Sequence, residues 1–278
     1  MKLESEFSIG ESNTTAAHRE AVERVILEMR ERLAEPHSLS EMARIACLSP
    51  FHFDRVFHEI TGIPAVQFLY ALRIEEAKRL LLTTSLSVTD VCLEVGYNSI
   101  GTFTSRFTQL VGLSPRHFRH LAERVDKSFP ESSFDDVAAI LKKGSFGESV
   151  KGRIITPDAI QRLVFVGLFP TLIPQSRPLA GNLISGSDSY GIGPVKDGRY
   201  NVFAAAFPKA DNAQAYLLPD SASLLVGVGK CAVNVSNGQP DGPIDIVLRP
   251  LQIANPPILI ALPFLLVEVL DQAQSMDV

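Results

Sequence analysis

Between residues 37 and 124 apolar positions recur at helical spacing, and they do so twice. Leu39, Met42, Ala43 and Ala46 fall at i, i+3, i+4 and i+7, which predicts one apolar face on a short helix. Ser38 or Ser40 can cap its start, because a hydroxyl there accepts from an N–H that the first turn leaves without a partner. A turn at Cys47-Leu48 follows. Ser49 then caps a second helix with Pro50 at its first position, where a missing N–H does no harm. Phe53, Val56, Phe57 and Ile60 form the inward stripe of that helix, and Thr61-Gly62 ends it.

The same grammar returns 49 to 50 residues later. Val88, Val91, Cys92 and Val95 repeat the first stripe, Gly96 takes the turn, and Asn98 or Ser99 can cap. Phe103, Phe107 and Leu110 then precede Gly112. Phe57 matches Phe107, Gly62 matches Gly112, and Phe68 matches Phe118. An internal duplication of this kind sets the architecture: two helix–turn–helix units, about 37–82 and 83–124. Ala65–Leu82 joins them as one helix, with Phe68, Leu69, Leu72, Ala77, Leu80 and Leu81 apolar.

The chain changes character near residue 128. Residues 1–127 hold 4 of the 18 prolines, 5 of the 18 glycines and all six histidines. The remainder consists of short apolar runs between Gly and Pro, a pattern of strands and turns. Candidate strands are 160–168, 179–185, 199–207, 213–218, 224–228, 232–235 and 244–248, with turns at Lys196-Asp197-Gly198 and Asn237-Gly238. The expected fold is therefore multidomain. An all-α double helix-turn-helix domain (1–127) precedes a linker (128–150), with a brief helix over Asp135–Lys142, and a mainly-β, sandwich-like domain (151–278) follows. Residues 258–270 would close that domain as a helix or last strand.

Charge enters next, because it works against a nonspecific nucleic-acid binder. The net charge is −5, and even residues 37–124, with 9 basic and 8 acidic side chains, come only to +1. Counterion release alone would bind such a chain poorly to DNA, so affinity would have to rest on base contacts as well. Cys47, Cys92 and Cys231 lie far apart with no CxxC pair, which points to a reducing compartment and gives no zinc framework. Neither a signal pattern nor an apolar run of spanning length is present, so the expectation is a cytoplasmic protein without membrane contact. The β-rich half has no histidine, no nucleophile elbow and no phosphate loop in its proper context. No catalytic residue, cofactor or metal site is therefore assigned.

The stretches LSEMARIACLSPFHFDRVFHEITGIPAVQFLYALRIEEAKRLL and SVTDVCLEVGYNSIGTFTSRFTQLVGLSPRHFR resemble the two halves of an AraC/XylS DNA-binding domain. The resemblance covers about 90 residues, and its second half, V-G-Y-N followed by F-x-x-x-F and V-G-L-S-P-R-H-F-R, is specific. It implies double-stranded DNA as partner, with groove-facing side chains at Phe51, His52, Asp54 and Arg55 of the first recognition helix. In the second the corresponding set is Ser99, Ile100, Gly101, Thr102, Thr104, Ser105 and Arg106. Arginine more often stands two residues after the first phenylalanine of that helix, where this chain has Ser105 and then Arg106. Arg55 could read a guanine edge, clamp a phosphate, or instead pair with Glu59. Phe51 could meet a thymine methyl or pack on the domain surface. Arg116, His117, Arg119, His120 and Arg124 form a basic cluster that suits phosphates or a solvated helix end equally. The phrase GPVKDGRYNVFAAAFP is similar to the start of a strand in prealbumin-like and carboxypeptidase regulatory-like sandwiches.

The expected protein is a sequence-specific transcription regulator. The β domain would sense a small-molecule effector, hold an oligomer or contact a protein such as RNA polymerase, with nothing chemical choosing among them. The alternative is an enzyme or a sugar-binding or other small-molecule-binding β domain that carries an autoregulatory DNA reader.

Overall fold

The computed structural model of the chain describes residues 13–120, 150–156, 162–170, 174–175, 178–185, 188–208, 223–229 and 232–259. Its helices are α1 (Asn13–Glu31), α2 (Leu39–Ile45), α3 (Pro50–Thr61), α4 (Ala65–Thr83), α5 (Val88–Glu94) and α6 (Ile100–Val111), and residues 115–120 are helical again. The helical half thus has the double helix-turn-helix order that the repeat predicts. Ahead of it stands α1, which packs on α2 and α3. Val22, Val25, Ile26 and Met29 of α1 are fully buried, and their i, i+3, i+4, i+7 spacing is the signal that could have placed this helix in advance.

The backbone gathers into two compact units, 1–73 with 253–257 and 74–252 with 258–278, so the division falls within α4. In the first unit Phe53 meets Phe57 at 5.5 Å between ring centroids, and Phe57 meets Phe68 at 5.5 Å, both edge to face. In the second, Phe103 and Phe107 lie 5.8 Å apart and Phe107 and Phe118 lie 5.7 Å apart. All six rings are fully buried.

The β strands belong to the second unit. They are β1 (Val150–Ile155), β2 (Arg162–Phe169), β3 (Ala180–Ser185), β4 (Ser189–Ile192), β5 (Gly198–Pro208), β6 (Leu225–Val228), β7 (Val233–Ser236), β8 (Gln239–Pro240), β9 (Ile246–Val247) and β10 (Arg249–Pro250). A larger sheet runs in the order β10-β6-β5-β2-β3, with the β7–β8 hairpin attached to β5. A smaller one runs β4-β1-β9. Among the described residues every pairing is antiparallel except β1 with β9. Val164, Val166, Leu168, Val202 and Ala204 of the larger sheet share one core with Val150, Ile154, Tyr190, Ile192 and Ile246 of the smaller. Phe165, Phe169, Phe203 and Phe207 bury the larger sheet's other face. Burial on both faces explains why β2 and β5 read as continuous apolar runs rather than alternating ones.

Several strand expectations shift in detail. Of the predicted run 244–248, Ile246 and Val247 form a strand beside β1, and the chain then crosses, so that Arg249 and Pro250 just past that run pair with β6 in the other sheet. Neither β1 nor β4 is among the expected strands; both are short and lie beside polar turns. The candidate strand 213–218, the brief linker helix 135–142 and nearly all of 258–270 lie outside the described residues.

The two predicted turns are bonded to each other. Asn237 (φ 52°) and Gly238 (φ 70°) form the two-residue turn of the β7–β8 hairpin, with the left-handed backbone that such a turn requires. Both of their N–H groups donate to the Asp197 carboxylate at 2.9 Å. Those bonds hold the Asp197 carboxyl below the usual carboxylate range.

Gly152 marks the closest approach in the smaller sheet. A Cβ placed there would stand 1.8 Å from the Ile244 carbonyl oxygen and 2.9 Å from the Tyr190 ring. The same oxygen accepts from the Tyr190 hydroxyl at 2.7 Å, and Ile244 N–H donates to Lys151 at 3.0 Å. Gly152→Ala is expected to cost about 2–3 kcal/mol through overpacking against backbone that cannot retreat. Urea unfolding of the two chains checks this, and equal midpoints would contradict it.

Within the second unit α4 buries a charge. Lys78 is 5% exposed, lies 5.9 Å from the Phe118 ring centroid and donates to the Ile258 carbonyl at 3.3 Å. Desolvation brings its pKa down from an ordinary 10.5 to about 8, partly opposed by Glu75. Between pH 8 and 10.5 the unfolded chain therefore keeps a proton that the fold has released, so stability should climb with pH across that window. Lys78→Met should remove that climb and raise stability at pH 7 by on the order of 1–3 kcal/mol. Unfolding curves at pH 7 and pH 10 test both statements.

Candidate nucleic-acid interface

The two helix–turn–helix units are built from matching local bonds. Ser38 caps α2, its hydroxyl accepting from Glu41 N–H at 3.1 Å. Ser87 caps α5 with a reciprocal box: Asp90 N–H donates to the Ser87 hydroxyl at 3.1 Å, and Ser87 N–H donates to Asp90 at 3.2 Å. Each short helix then closes through the same loop. Leu48 N–H reaches the Ala43 carbonyl at 2.9 Å, and Tyr97 N–H reaches that of Cys92 at 3.0 Å. The residue just before each donor, Cys47 or Gly96, is left-handed, with φ 57° and 82°.

The recognition helices match residue for residue at an offset of 50. Ser49 caps α3 and Ser99 caps α6, each hydroxyl accepting at 3.4 Å from the N–H three residues on. Left-handed Gly62 and Gly112 end them, and their N–H groups return to His58 and Thr108 at 2.8 and 2.9 Å. The preceding helices match at 49. The one-residue change of offset is therefore taken up in the turn, where Asn98 is extra. Of the alternative caps, Ser38 rather than Ser40 and Ser99 rather than Asn98 serve.

What the two helices show to the outside differs. Phe51 is 86% exposed, so it does not pack on the domain surface. Arg55 is exposed and, among the described residues, forms no ion pair with Glu59. Asp54 is half-buried. His52 is also half-buried and meets His18 of α1 edge to face at 5.3 Å, which makes the side chain part of an interhelical contact rather than a freely solvated group. The second helix exposes Ile100 (44%), Gly101, Thr102 and Ser105, with Thr104 half-buried. The Ser99 hydroxyl is occupied by its capping bond. Arg106 takes the position of buried Val56, is half-buried, and has a partner within the chain.

The basic cluster after α6 divides by role. Arg119 is drawn inward, its Nε and Nη2 donating to the carbonyls of Leu81 and Leu86 at 3.0 and 2.6 Å. Arg116, His117 and His120 are exposed, and Arg124 lies outside the described residues. Sequence reasoning gave no role to Arg73, which is 8% exposed and donates to two backbone carbonyls of the α1–α2 loop. Its place beside polar Glu75 and Glu76 in the sequence hides that burial.

Two capped helical pairs, each ending in a recognition helix with an exposed first turn, define a double helix-turn-helix DNA-binding protein. The sequence pattern of the family described as Helix-turn-helix domain matches residues 42–120. The HTH-type transcriptional activator AarP of Providencia stuartii is 31% identical over 98 residues, 35% of this chain and 73% of that protein. The bifunctional transcriptional activator/DNA repair enzyme AdaA of Bacillus subtilis is 30% identical over 89 residues, covering 32% and 42%. The MmsAB operon regulatory protein of Pseudomonas aeruginosa is 37% identical over 91 residues, covering 33% and 30%. The chain thus spans less than half the length of the last two. Among solved structures, the DNA-binding domain of AdpA in complex with a target DNA is 28% identical, covering 40% of this chain and 98% of that one at a TM-score of 0.37. This chain belongs to the AraC/XylS family of DNA-binding transcription regulators.

The left-handed turn gives a direct test of how the repeat is built. Cys47 is exposed, so replacing it removes no packing, and Gly already stands at the matching position 96. A left-handed conformation costs a non-glycine residue roughly 1–2 kcal/mol, and glycine's extra unfolded entropy returns part of that. Cys47→Gly should therefore stabilise the chain by about 0.5–1 kcal/mol. Thermal unfolding under reducing conditions is the measurement, and a loss of stability would contradict it.

Proposed function

We propose that the chain reads an asymmetric operator, setting α3 and α6 into successive major-groove segments of one duplex face. The observation that carries this reading is the contrast between matched frames and unmatched faces. The serine caps, terminal glycines and buried phenylalanines of the two units correspond in position, while the exposed first turns do not. Phe51 and Arg55 give the first helix an apolar contact for thymine methyl and a fork for guanine or phosphate. Ile100, Gly101, Thr102 and Ser105 give the second a small surface for close approach and single hydrogen bonds. His52, Asp54, Ser99, Thr104 and Arg106 flank these contacts.

The domain reading places DNA binding in residues 1–127 and assigns 151–278 to effector sensing, oligomer formation or contact with a protein such as RNA polymerase. AarP and the MmsAB protein carry regulator names, which supports a regulator rather than an enzyme. AdaA's name joins activation to DNA repair, and its match spans 89 residues. No described helix is long and apolar enough to cross a membrane. A cytoplasmic location goes with the proposed DNA target.

The deciding experiment is selection from a random-duplex pool by the full chain, followed by competition at two salt concentrations. An enriched motif of two unlike half-sites about 10 bp apart supports the reading. Failure to enrich any motif overturns it.

Gly101 supplies a sharper test of the interface itself. A Cβ there would touch only the Ser99 hydroxyl, at 3.8 Å, so the fold leaves room for a side chain. Glycine within a helix costs about 0.5–1 kcal/mol relative to alanine. Gly101→Ala should thus raise stability by up to that amount while weakening operator binding about tenfold, roughly 1.4 kcal/mol. A more stable variant with unchanged affinity would remove Gly101 from the interface.

A further inference from the structure

Each helix–turn–helix unit begins from a loop, and in both units an arginine from a later helix grips that loop by its backbone. In the first, α1 ends at Glu31 and α2 begins after its cap, Ser38. Arg73 of α4 donates from Nε to the Leu33 carbonyl at 3.0 Å and from Nη2 to the Glu35 carbonyl at 2.8 Å. In the second, α4 ends at Thr83 and α5 begins after Ser87. Arg119, in the helical stretch 115–120, donates from Nε to the Leu81 carbonyl at 3.0 Å and from Nη2 to the Leu86 carbonyl at 2.6 Å. The same two guanidinium nitrogens are used each time. Leu33, Glu35 and Leu86 accept from within the loops, and Leu81 accepts from the last turn of α4, where a helix end leaves such an oxygen without a partner inside the helix.

The two arginines are not repeat mates. They stand 46 residues apart, whereas the units repeat at 49 to 50, and an offset of 50 places Leu69 opposite Arg119. Sequence duplication therefore does not account for the shared arrangement. Both residues reach loops that set where α2 and α5 start. Those short helices are joined to the recognition helices by tight, hydrogen-bonded turns, so the start of each unit governs the angle of its reader. A guanidinium suits the task because its donors are fixed in one plane and can hold two carbonyls together. A lysine ammonium is a single point on a flexible stem.

We propose that Arg73 and Arg119 are positioning residues for DNA reading, each setting the angle of one recognition helix and therefore discrimination in one half-site only. This rests on the operator reading above. Arg73→Lys and Arg119→Lys in the full chain keep the charge and most of the stem. Hydrogen exchange should speed at least fivefold in residues 32–38 for Arg73→Lys and in 81–87 for Arg119→Lys, each leaving the other loop unchanged. On the selected operator, Arg73→Lys should reduce the penalty for scrambling the α3 half-site by about tenfold. Arg119→Lys should do the same for the α6 half-site.

Unchanged exchange in both loops overturns the proposal, and so does an equal loss of affinity on every duplex with discrimination intact. An Arg73→Lys chain that cannot fold makes Arg73 part of the fold instead and ends the proposal for it, and Arg119→Lys then decides the second unit. If the wild-type chain selects no operator, positioning for DNA falls with the functional reading. The exchange result still separates a real loop clamp from an incidental contact.

Discussion

Three buried phenylalanines in ring-to-ring contact hold each recognition helix, and the rest of the reading surface depends on them. Phe53 meets Phe57 along α3 and Phe57 meets Phe68, while Phe103 meets Phe107 along α6 and Phe107 meets Phe118. Aromatic pairs of this kind add about 0.5–1.5 kcal/mol each beyond the area they bury, and their geometry is directional. With rings fixing one side of the helix, the other side is left to carry whatever chemistry the chain requires. Serine caps at the start and left-handed glycines at the end set the helix length at 12 residues in both cases. Identical scaffolding therefore frames two dissimilar surfaces.

That separation explains how an acidic chain can read DNA. With a net charge of −5, long-range attraction is weak and little nonspecific affinity comes from counterion release. The side chains that could add charge are partly committed within the protein: Arg73 and Arg119 hold backbone carbonyls, and Arg106 has an internal partner. Arg55 and Arg116 remain on the outside. Phe51 and Gly101 occupy equivalent places with opposite bulk at the first turns of α3 and α6.

The β region follows a different logic. Its larger sheet is apolar on both faces, so β2 and β5 are central strands and the polar groups move to the turns. Asp197 ties the turn before β5 to the hairpin turn at Asn237-Gly238, and Gly152 lets the Ile244 backbone close on β1. These are contacts between segments 40 to 92 residues apart, each made by a small or short polar residue whose sequence neighbours give no hint of it.

The helical half was largely legible in the sequence because its determinants are local. Helical periodicity, serine caps and terminal glycines act within a few residues of one another, and duplication doubles the signal. The exposed and buried sides of α3 could be assigned from spacing alone, and Phe51 and Arg55 stand where that spacing puts them. The β half was legible where strands are long and apolar or turns are Asn-Gly, and not at β1, β4 or the divided run 246–250, whose pairing depends on distant partners. The sequence by itself determined the helices of the repeated region and that two DNA-reading units stand in tandem, while α1 ahead of them was not read and the caps of α2 and α6 were left between two residues each. Tertiary structure alone decided that His52 leans on His18, that Arg73 and Arg119 turn inward while Arg55 does not, and that the smaller sheet closes through Gly152. Each of those outcomes is set by a neighbour far along the chain, and hydrophobic pattern carries no record of which polar group a distant carbonyl or ring will meet.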